Sequence, residues 1–548
     1  MAAPAGGIDV ISIGVLEGVL SKICTTGCVT ATAFAADADG AATTRGFNWV
    51  VVAITVGSFV AAALAAWRVS QQPVPLEEPP VLQTDLLNPD LPLLPEPRIV
   101  PAFETTLLIV LGVYLFFDRA GAWLHVPATP LFIGELMIVV GLFAMSAHRV
   151  QLGAAVRRSP ALKTLAFWMA WGGALLVLAI TRYGEDAIRD SALWYYGLVA
   201  AFVVYLLLAN PGRLGRWLAL YRRVMPYALL WFPFALILNA RFAGIGLMVP
   251  FSQVPIVSHK SGNVAVFTTI FLAYMWLVDG EDKVYSDTQR TILTAGGILV
   301  VLFAGMQNRG GLVSAAAGLL IAILFMRRRK SEFAFIAGGA VVIVMTLAIV
   351  SNFNVPLFGG RSVSAEQLIT NVSSIIDPDS GSSRETSTTQ WRLQIWGTVL
   401  QDVTEEAPVM GFGPGPDLGK IYGFGGSASE TLRNPHNSHV GVLARMGFVG
   451  MVTWAGLWTV WVIQLLLLRQ RLLRRGRNAE AAIGAWLVSA AAAILVNAIF
   501  DPTLEGPQVA VWLWVFFGIG AALPLLYAGF DSAWLDKVIR RDPASVES

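Results

Sequence analysis

Residues 433–468 read RNPHNSHVGVLARMGFVGMVTWAGLWTVWVIQLLLL. The first seven are polar or turn-forming, and from Val440 the run is almost wholly apolar. It is closed by RQRLLRRGR at 469–477, with five arginines. A bilayer is crossed by about twenty mostly apolar residues, and arginine-rich turns mark the cytoplasmic end of a span. The stretch therefore reads as a membrane helix whose polar threshold, with His436 on it, faces the opposite side.

The rest of the chain agrees. Of 548 residues, 55% are hydrophobic and 14% charged, with mean hydropathy +0.64. A soluble domain carries about a quarter charged residues. The expectation is an all-α polytopic membrane protein. Spans fall near 102–118, 129–147, 161–181, 191–209, 226–247, 263–279, 290–307, 309–326, 332–350, 440–468, 480–499 and 508–527. These are about twelve core helices. A further helix at 47–67 is appended by the proline-rich linker 68–101 and preceded by the tail 1–46. That tail lacks a basic n-region and carries Asp37 and Asp39, unlike a secretory signal. The core divides into a first part, 102–350, a loop, 351–439, and three last helices, 440–527, followed by the tail 528–548. The two cysteines, Cys24 and Cys28, exclude a disulfide framework. No G-x-x-x-x-G-K-[ST] phosphate loop is present, and no nucleic acid is expected as a partner.

The turns HRVQLGAAVRRS, PGRLGRWLALYRR, MRRRK and RQRLLRRGR share one side if the helices alternate, which is the cytoplasm. The outer side then receives 182–190, 248–262, 351–439 and 500–507. The third is long enough to be functional or disordered. It contains TQWRLQIWGTVLQDV, which puts Trp391, Ile395, Trp396, Val399, Leu400 and Val403 on one helical face. This reads as an amphipathic helix at the lipid headgroups.

Several outer-face residues carry chemistry. Arg309 opens NRGGLVSAAAGLL among small residues that let helices approach closely. It is either a snorkelling anchor or a cation for a lipid phosphate. Arg392 lies one turn before Trp396, either as a cation–π pair or as a second phosphate cation. Gly411, Gly413 and Gly415 form either an anion-binding nest or a turn-rich loop. His259 and Lys260, on another outer loop, either add positive charge to the site or belong to a solvated loop. Glu185 and Asp186 form an acidic pair, either a metal ligand set or solvated loop charge. Asp501 and Glu505 either orient His436, bind an acceptor sugar or are loop charges. Pro435 breaks any preceding helix, and Asn437 or Ser438 caps the next. His436 thus stands beside a helix N-terminus, whose dipole disfavours the charged ring. A neutral imidazole suits a general base; the alternative is an interfacial polar cap. His439 is its partner or a rim residue. Gly447 and Gly450 share a face that allows close packing or a bend.

The histidine motif HNSHVGVLARMGFVG resembles the signature of bacterial O-antigen ligases, within the O-antigen ligase and polymerase superfamily. WRLQIWGTVLQDVTEEAPVMGFGPG resembles the same superfamily's arginine–tryptophan helix and glycine-rich turn. NRGGLVSAAAGLL is similar to its Ser-Arg-Gly helix start, with Asn308 in place of the serine. The resemblance runs over about 230–510 and more loosely from 102. It implies a C-type glycosyltransferase fold in the bacterial inner membrane. The site would be periplasmic and need no metal or other cofactor. The donor would be an undecaprenyl diphosphate-linked glycan; the acceptor would be lipid A core for a ligase or another polysaccharide for a polymerase. By that resemblance His436 is the catalytic histidine, and Arg309 and Arg392 are the arginines on the diphosphate; beside the resemblance, His259 and Lys260 are expected to add charge at the diphosphate. Trp396, Asn437, His439, Asp501 and Glu505 would support them. A lipid-linked glycan transporter is the rival from another class. It needs no histidine base, but alternating access would call for groups at mid-membrane.

Overall fold

The structure is a computed structural model. It describes residues 99–126, 131–146, 149–242, 247–250, 252, 254–326, 330–350, 354–356, 362–364, 367–371, 383–422 and 433–527. The tail 1–46, the appended helix 47–67, nearly all of the linker and the tail 528–548 lie outside these residues.

The described chain is a helical bundle. Its principal helices are α1 (Ile99–Phe117), α2 (Ile133–Ser146), α3 (Arg149–Arg158), α4 (Pro160–Tyr183), α5 (Leu198–Ala209), α6 (Arg213–Phe242) and α7 (Ser261–Asp282). There follow α8 (Asp287–Gln307), α9 (Arg309–Phe325), α10 (Lys330–Val350), α11 (Ser383–Glu406), α12 (Ser438–Arg474), α13 (Asn478–Phe500) and α14 (Pro507–Leu526). A small antiparallel pair, β1 (Asn354–Pro356) and β2 (Ser362–Ser364), lies between α10 and α11. Among the described residues, α1, α4, α7, α8, α12, α13 and α14 are the seven helices long and apolar enough to cross a membrane. The segment expected as one span over 191–209 is instead bent by 45° between Glu185–Tyr195 and α5; counted as one span it makes eight. The apolar helices α2 and α9 are shorter, with 14 and 17 residues.

Helix ends follow the local chemistry. Asn308 caps α9, its side chain accepting from Gly311 N at 3.1 Å. The departure from the family serine is therefore neutral for the helix, since Asn and Ser are equally good N-caps. Ser286 and Gln289 form a capping box on α8.

Packing is closest among α7, α9 and α13, through small residues. A side chain at Gly311 would meet Gly262 Cα and Ala265 Cβ at 3.2 Å. One at Gly318 would meet Thr269 at 2.7 Å and Ala493 at 2.9 Å. Ser489 Oγ donates to Gly318 O at 2.7 Å, satisfying its hydroxyl inside the bundle. α14 is wholly enclosed, and Trp461 stacks on its Phe517 while donating Nε1–H to the Phe517 carbonyl at 2.9 Å. Many exposed apolar side chains lie on the outward faces of helices: Phe167, Val177 and Leu178 on α4, Leu320 and Leu324 on α9, Val452 on α12. Such a surface is expected of helices whose solvent is hydrocarbon.

The two ends of the bundle differ. At one end Arg469 donates to Phe325 O (3.1 Å), Tyr285 to Arg222 O (2.8 Å), and Ala161 N to Gln464 (3.2 Å). Each of these contacts has one partner in or beside a basic turn. The other ends of α7, α12 and α13 carry Lys260, Ser438 and Asp501, which bond to one another. The basic turns thus gather at one end, as the alternation requires.

α12 does not run straight through. Gly447 adopts φ 64°, ψ −167°, outside the helical region, so 438–446 is a separate short helix ahead of the span. The interrupted backbone groups are taken up elsewhere: Phe448 N donates to Pro408 O (2.8 Å), Phe412 N to Ala444 O (2.7 Å), and Trp171 Nε1 to Met446 O (3.0 Å). Irregular backbone at membrane depth is tolerated when neighbours satisfy it in this way.

Candidate functional site

The polar end of the bundle is built around the turn after α13. Phe500 is its meeting point. A side chain on Gly310, next to Arg309, would strike Phe500 Cβ at 2.7 Å, so the start of α9 lies directly on Phe500. Arg392 of α11 donates Nη1–H to the Phe500 carbonyl at 3.3 Å. Ser438, two residues after His436, donates Oγ–H to Asp501 O at 3.4 Å and accepts from Leu504 N at 3.1 Å. The three motifs, far apart in sequence, converge on residues 500–504.

His436 is partly buried, with a backbone φ of 53° that only glycine adopts freely. Its ring centroid lies 6.5 Å from that of Trp391. Trp396 donates Nε1–H to Pro435 O at 2.8 Å, fixing the peptide just before the histidine. Asn437 accepts from His439 N (2.9 Å) and Val440 N (3.1 Å), and so caps α12 as expected. Both tryptophan positions of α11 thus serve the histidine segment.

α11 has a packed face and an exposed one. Its apolar face, Ile395, Val399 and Val403, packs on Leu418, Leu443 and Ala444, so it covers the first part of α12. Trp391 and Leu400 are exposed at 37% and 48%. The long loop is also anchored at Asn371, whose Nδ2 donates to the carbonyls of Gly305 (2.9 Å) and Met306 (3.0 Å) at the end of α8. That contact closes the loop onto the turn that presents Arg309.

Lys260 and Asp501 form an ion pair, Nζ lying 2.9 and 3.0 Å from the two carboxylate oxygens. Lys260 N and Asn263 Nδ2 donate to Asp118 at 2.7 and 2.8 Å. Burial pushes the Asp118 pKa up to about 6 against these hydrogen bonds. His259 is a correction. It is 3% exposed, between the rings of Trp231 and Phe232 at 6.1 and 6.2 Å, and burial pushes its pKa down to about 4. It is a neutral interior residue at pH 7, because the cost of desolvating an imidazolium outweighs what the Leu115 backbone returns. His439 is likewise internal. Trp454 donates to its Nδ1 at 3.1 Å, which leaves Nε2–H to donate to Leu495 O at 2.9 Å. Both ring nitrogens are used, and neither is directed to His436.

The glycine-rich loop takes the turn reading. Gly411, Gly413 and Gly415 all have positive φ, 64°, 74° and 116°. The anion held by Gly415 N is the protein's own Asp190, at 2.9 Å. Asp186 lies 3.3 Å from Arg433, so at least this member of the acidic pair faces an arginine. Glu505 stands over Gly441, where a side chain would meet its Oε1 at 2.9 Å. It neighbours Arg445, Asp190 and Asn434, and burial pushes its pKa up to about 7.

Residues 293–455 match a family model described as O-Antigen ligase. Over this segment the chain is similar to the O-antigen ligase family. Arg309, Arg392 and His436 fall inside the family segment, whereas Lys260, Asp501, Glu505 and Asp190 come from the bundle around it. No curated protein is detectably similar to the chain.

Sequence reasoning missed Asp190, Arg433, Arg445, Asp118 and Phe500. Arg445 carried a usable signal: it is a charged residue inside an apolar run, which marks a functional position by default. Asp190 carried none, because its partners come from 415 and beyond.

Proposed function

We propose that this chain is an inverting glycosyltransferase with about twelve core spans. It moves a glycan from undecaprenyl diphosphate to a sugar hydroxyl, that of lipid A core, at the periplasmic face of the inner membrane. The observation that carries this reading is the convergence of the Arg309 turn, Arg392 and the His436 segment on Phe500–Leu504. Such a site offers two guanidinium groups, suited to phosphate oxygens by their forked donors, beside an imidazole.

In the reaction, the bond from the sugar's anomeric carbon to the diphosphate oxygen breaks. A bond from the acceptor oxygen to that carbon forms on the opposite face. The acceptor proton passes to a ring nitrogen of His436, and undecaprenyl diphosphate leaves. Charge developing on the leaving diphosphate is stabilised by Arg309 and Arg392 in a partly dehydrated site, which is commonly the largest catalytic term. Lys260, already paired with Asp501, supports that end of the site. The family resemblance implies that no metal is needed. The two arginines at one end of the bundle favour bond transfer over a transporter's mid-membrane site.

The test is transfer by purified protein from an undecaprenyl diphosphate glycan to lipid A core or to a second lipid-linked glycan, read by mass. Core-linked product is expected; a lengthened lipid-linked chain would make the protein a polymerase. His436→Ala should lower the rate by about 10²–10⁴-fold, and Arg309→Ala or Arg392→Ala by about 10²–10³-fold. Undiminished transfer by folded His436→Ala protein would remove the base.

A further inference from the structure

Asp190 ends the short helix Glu185–Asp190, which follows α4 on the polar side of the bundle. Its side chain is 7% exposed, and so is that of Arg445. One carboxylate gathers three partners from distant segments. Oδ2 accepts from Gly415 N at 2.9 Å and from Arg433 Nη2 at 3.2 Å, and forms an ion pair with Arg445 Nη2 at 2.9 Å. The arginines are held again by the backbone. Arg433 donates to Gly415 O at 2.7 Å. Arg445 donates to Pro416 O at 2.7 Å and to Arg433 O at 3.3 Å. Asp186 and Asp417 flank Arg433 at 3.3 and 3.6 Å. Burial works against the Arg433 charge, but these carboxylates outweigh it and raise its pKa.

A buried ion cluster is weak evidence of stability, because desolvation offsets most of the Coulombic gain. What this one fixes is geometry. His436 is three residues after Arg433 and sits at φ 53°. A non-glycine residue in that region is strained and persists only when its surroundings over-determine it. Arg433 pins the chain on one side of the histidine and the Asn437 cap on the other.

We propose that Asp190, acting through Arg433 and Arg445, is a positioning residue that latches the glycine-rich loop and the segment carrying His436 into the geometry used for transfer. The proposal rests on the functional reading above for its kinetic consequence alone; the latch itself does not need it.

The test combines hydrogen exchange with kinetics on the full-length protein in detergent. Asp190→Asn keeps the shape and an acceptor for Gly415 but removes the charge. Amides of residues 436–440 should exchange at least tenfold faster, while those of α7 and α14 stay unchanged. The turnover number should fall at least tenfold, with the donor KM changed less than twofold. Arg433→Ala should behave alike and recover turnover with millimolar guanidinium but not with equal sodium chloride. A merely structural pair would lower folded yield without that split or rescue. Unchanged exchange in both variants overturns the latch. Faster exchange with full turnover overturns positioning. If wild-type protein transfers nothing while exchange rises as stated, the glycosyltransferase reading fails and the latch stands. If Asp190→Asn does not fold, Arg433→Ala alone decides.

Discussion

Two interior groups at the polar end give the protein opposite pH signatures. The Glu505 pKa is raised from 4.5 to about 7 by burial. Between those values the folded chain keeps a proton that the unfolded chain has lost, so stability falls as pH rises through the window and is level above it. The His259 pKa is lowered from 6.5 to about 4, again by burial. There the unfolded chain takes up the proton first, so stability falls as pH drops from 6.5 towards 4. A tenfold change in proton affinity between the two states is worth about 1.4 kcal/mol. Glu505→Gln should therefore raise the thermal midpoint at pH 8 by a few degrees or more and change little at pH 5. His259→Leu should do the reverse. Melting in detergent at both pH values checks this, and the same gain at both would contradict the assignment. The residue types of the site were legible: His436, Arg392 and Arg309 stand in recognisable contexts. Their supports were not. His259 looks like a loop cation in PIVSHKSGN, and only the enclosing Trp231 and Phe232, contributed by α6, make it an interior group.

The span expected over 440–468 exists, but its periodicity hides a break. Hydropathy is unchanged across Gly447, so the pattern alone cannot tell a straight helix from two halves; the glycine pair with Gly450 is the signal that survives. The break depends on φ 64°, ψ −167°, a region reserved for glycine. A side chain there would also meet Val409 O at 2.4 Å. Gly447→Ala should cost roughly 2–4 kcal/mol from backbone strain and overlap, and weaken the seating of 408–412 against α12. Gly456 is the internal control. It lies in the same helix, and a side chain there meets nothing within 4 Å. Gly456→Ala should be neutral or stabilise by up to about 1 kcal/mol. Denaturation midpoints of the two variants decide between a required bend and a merely small residue, and equal effects would rule out the bend. The amphipathic helix teaches the complementary lesson. Its apolar stripe was visible, but a stripe does not state what covers it, and here the cover is the first part of α12.

For the whole molecule, the basic turns organise the reading. Each is weak by itself, yet four of them agree on one side, and the contacts Arg469–Phe325 and Tyr285–Arg222 bring their helix ends together. Span ends were less legible. α6 begins at Arg213 inside a basic turn and holds Pro226 and Pro233 within its length; the Arg222 carbonyl that Pro226 leaves without its helical donor accepts from Tyr285 at 2.8 Å. Sidedness now has a direct consequence. If the basic end is cytoplasmic, the polar end carrying Arg392 and His436 is periplasmic, where a lipid-linked glycan would be met. The described residues contain no cysteine, since the chain's two are Cys24 and Cys28. With those replaced by serine, single substitutions report each end. Gln401, exposed on α11, stands for the polar end, and Lys283, exposed at the end of α7, for the basic end. A membrane-impermeant maleimide should label Gln401→Cys in cells with a permeabilised outer membrane and reach Lys283→Cys only after lysis. The opposite order would turn the site to the cytoplasm and remove the periplasmic transfer reaction, whatever the geometry around Phe500.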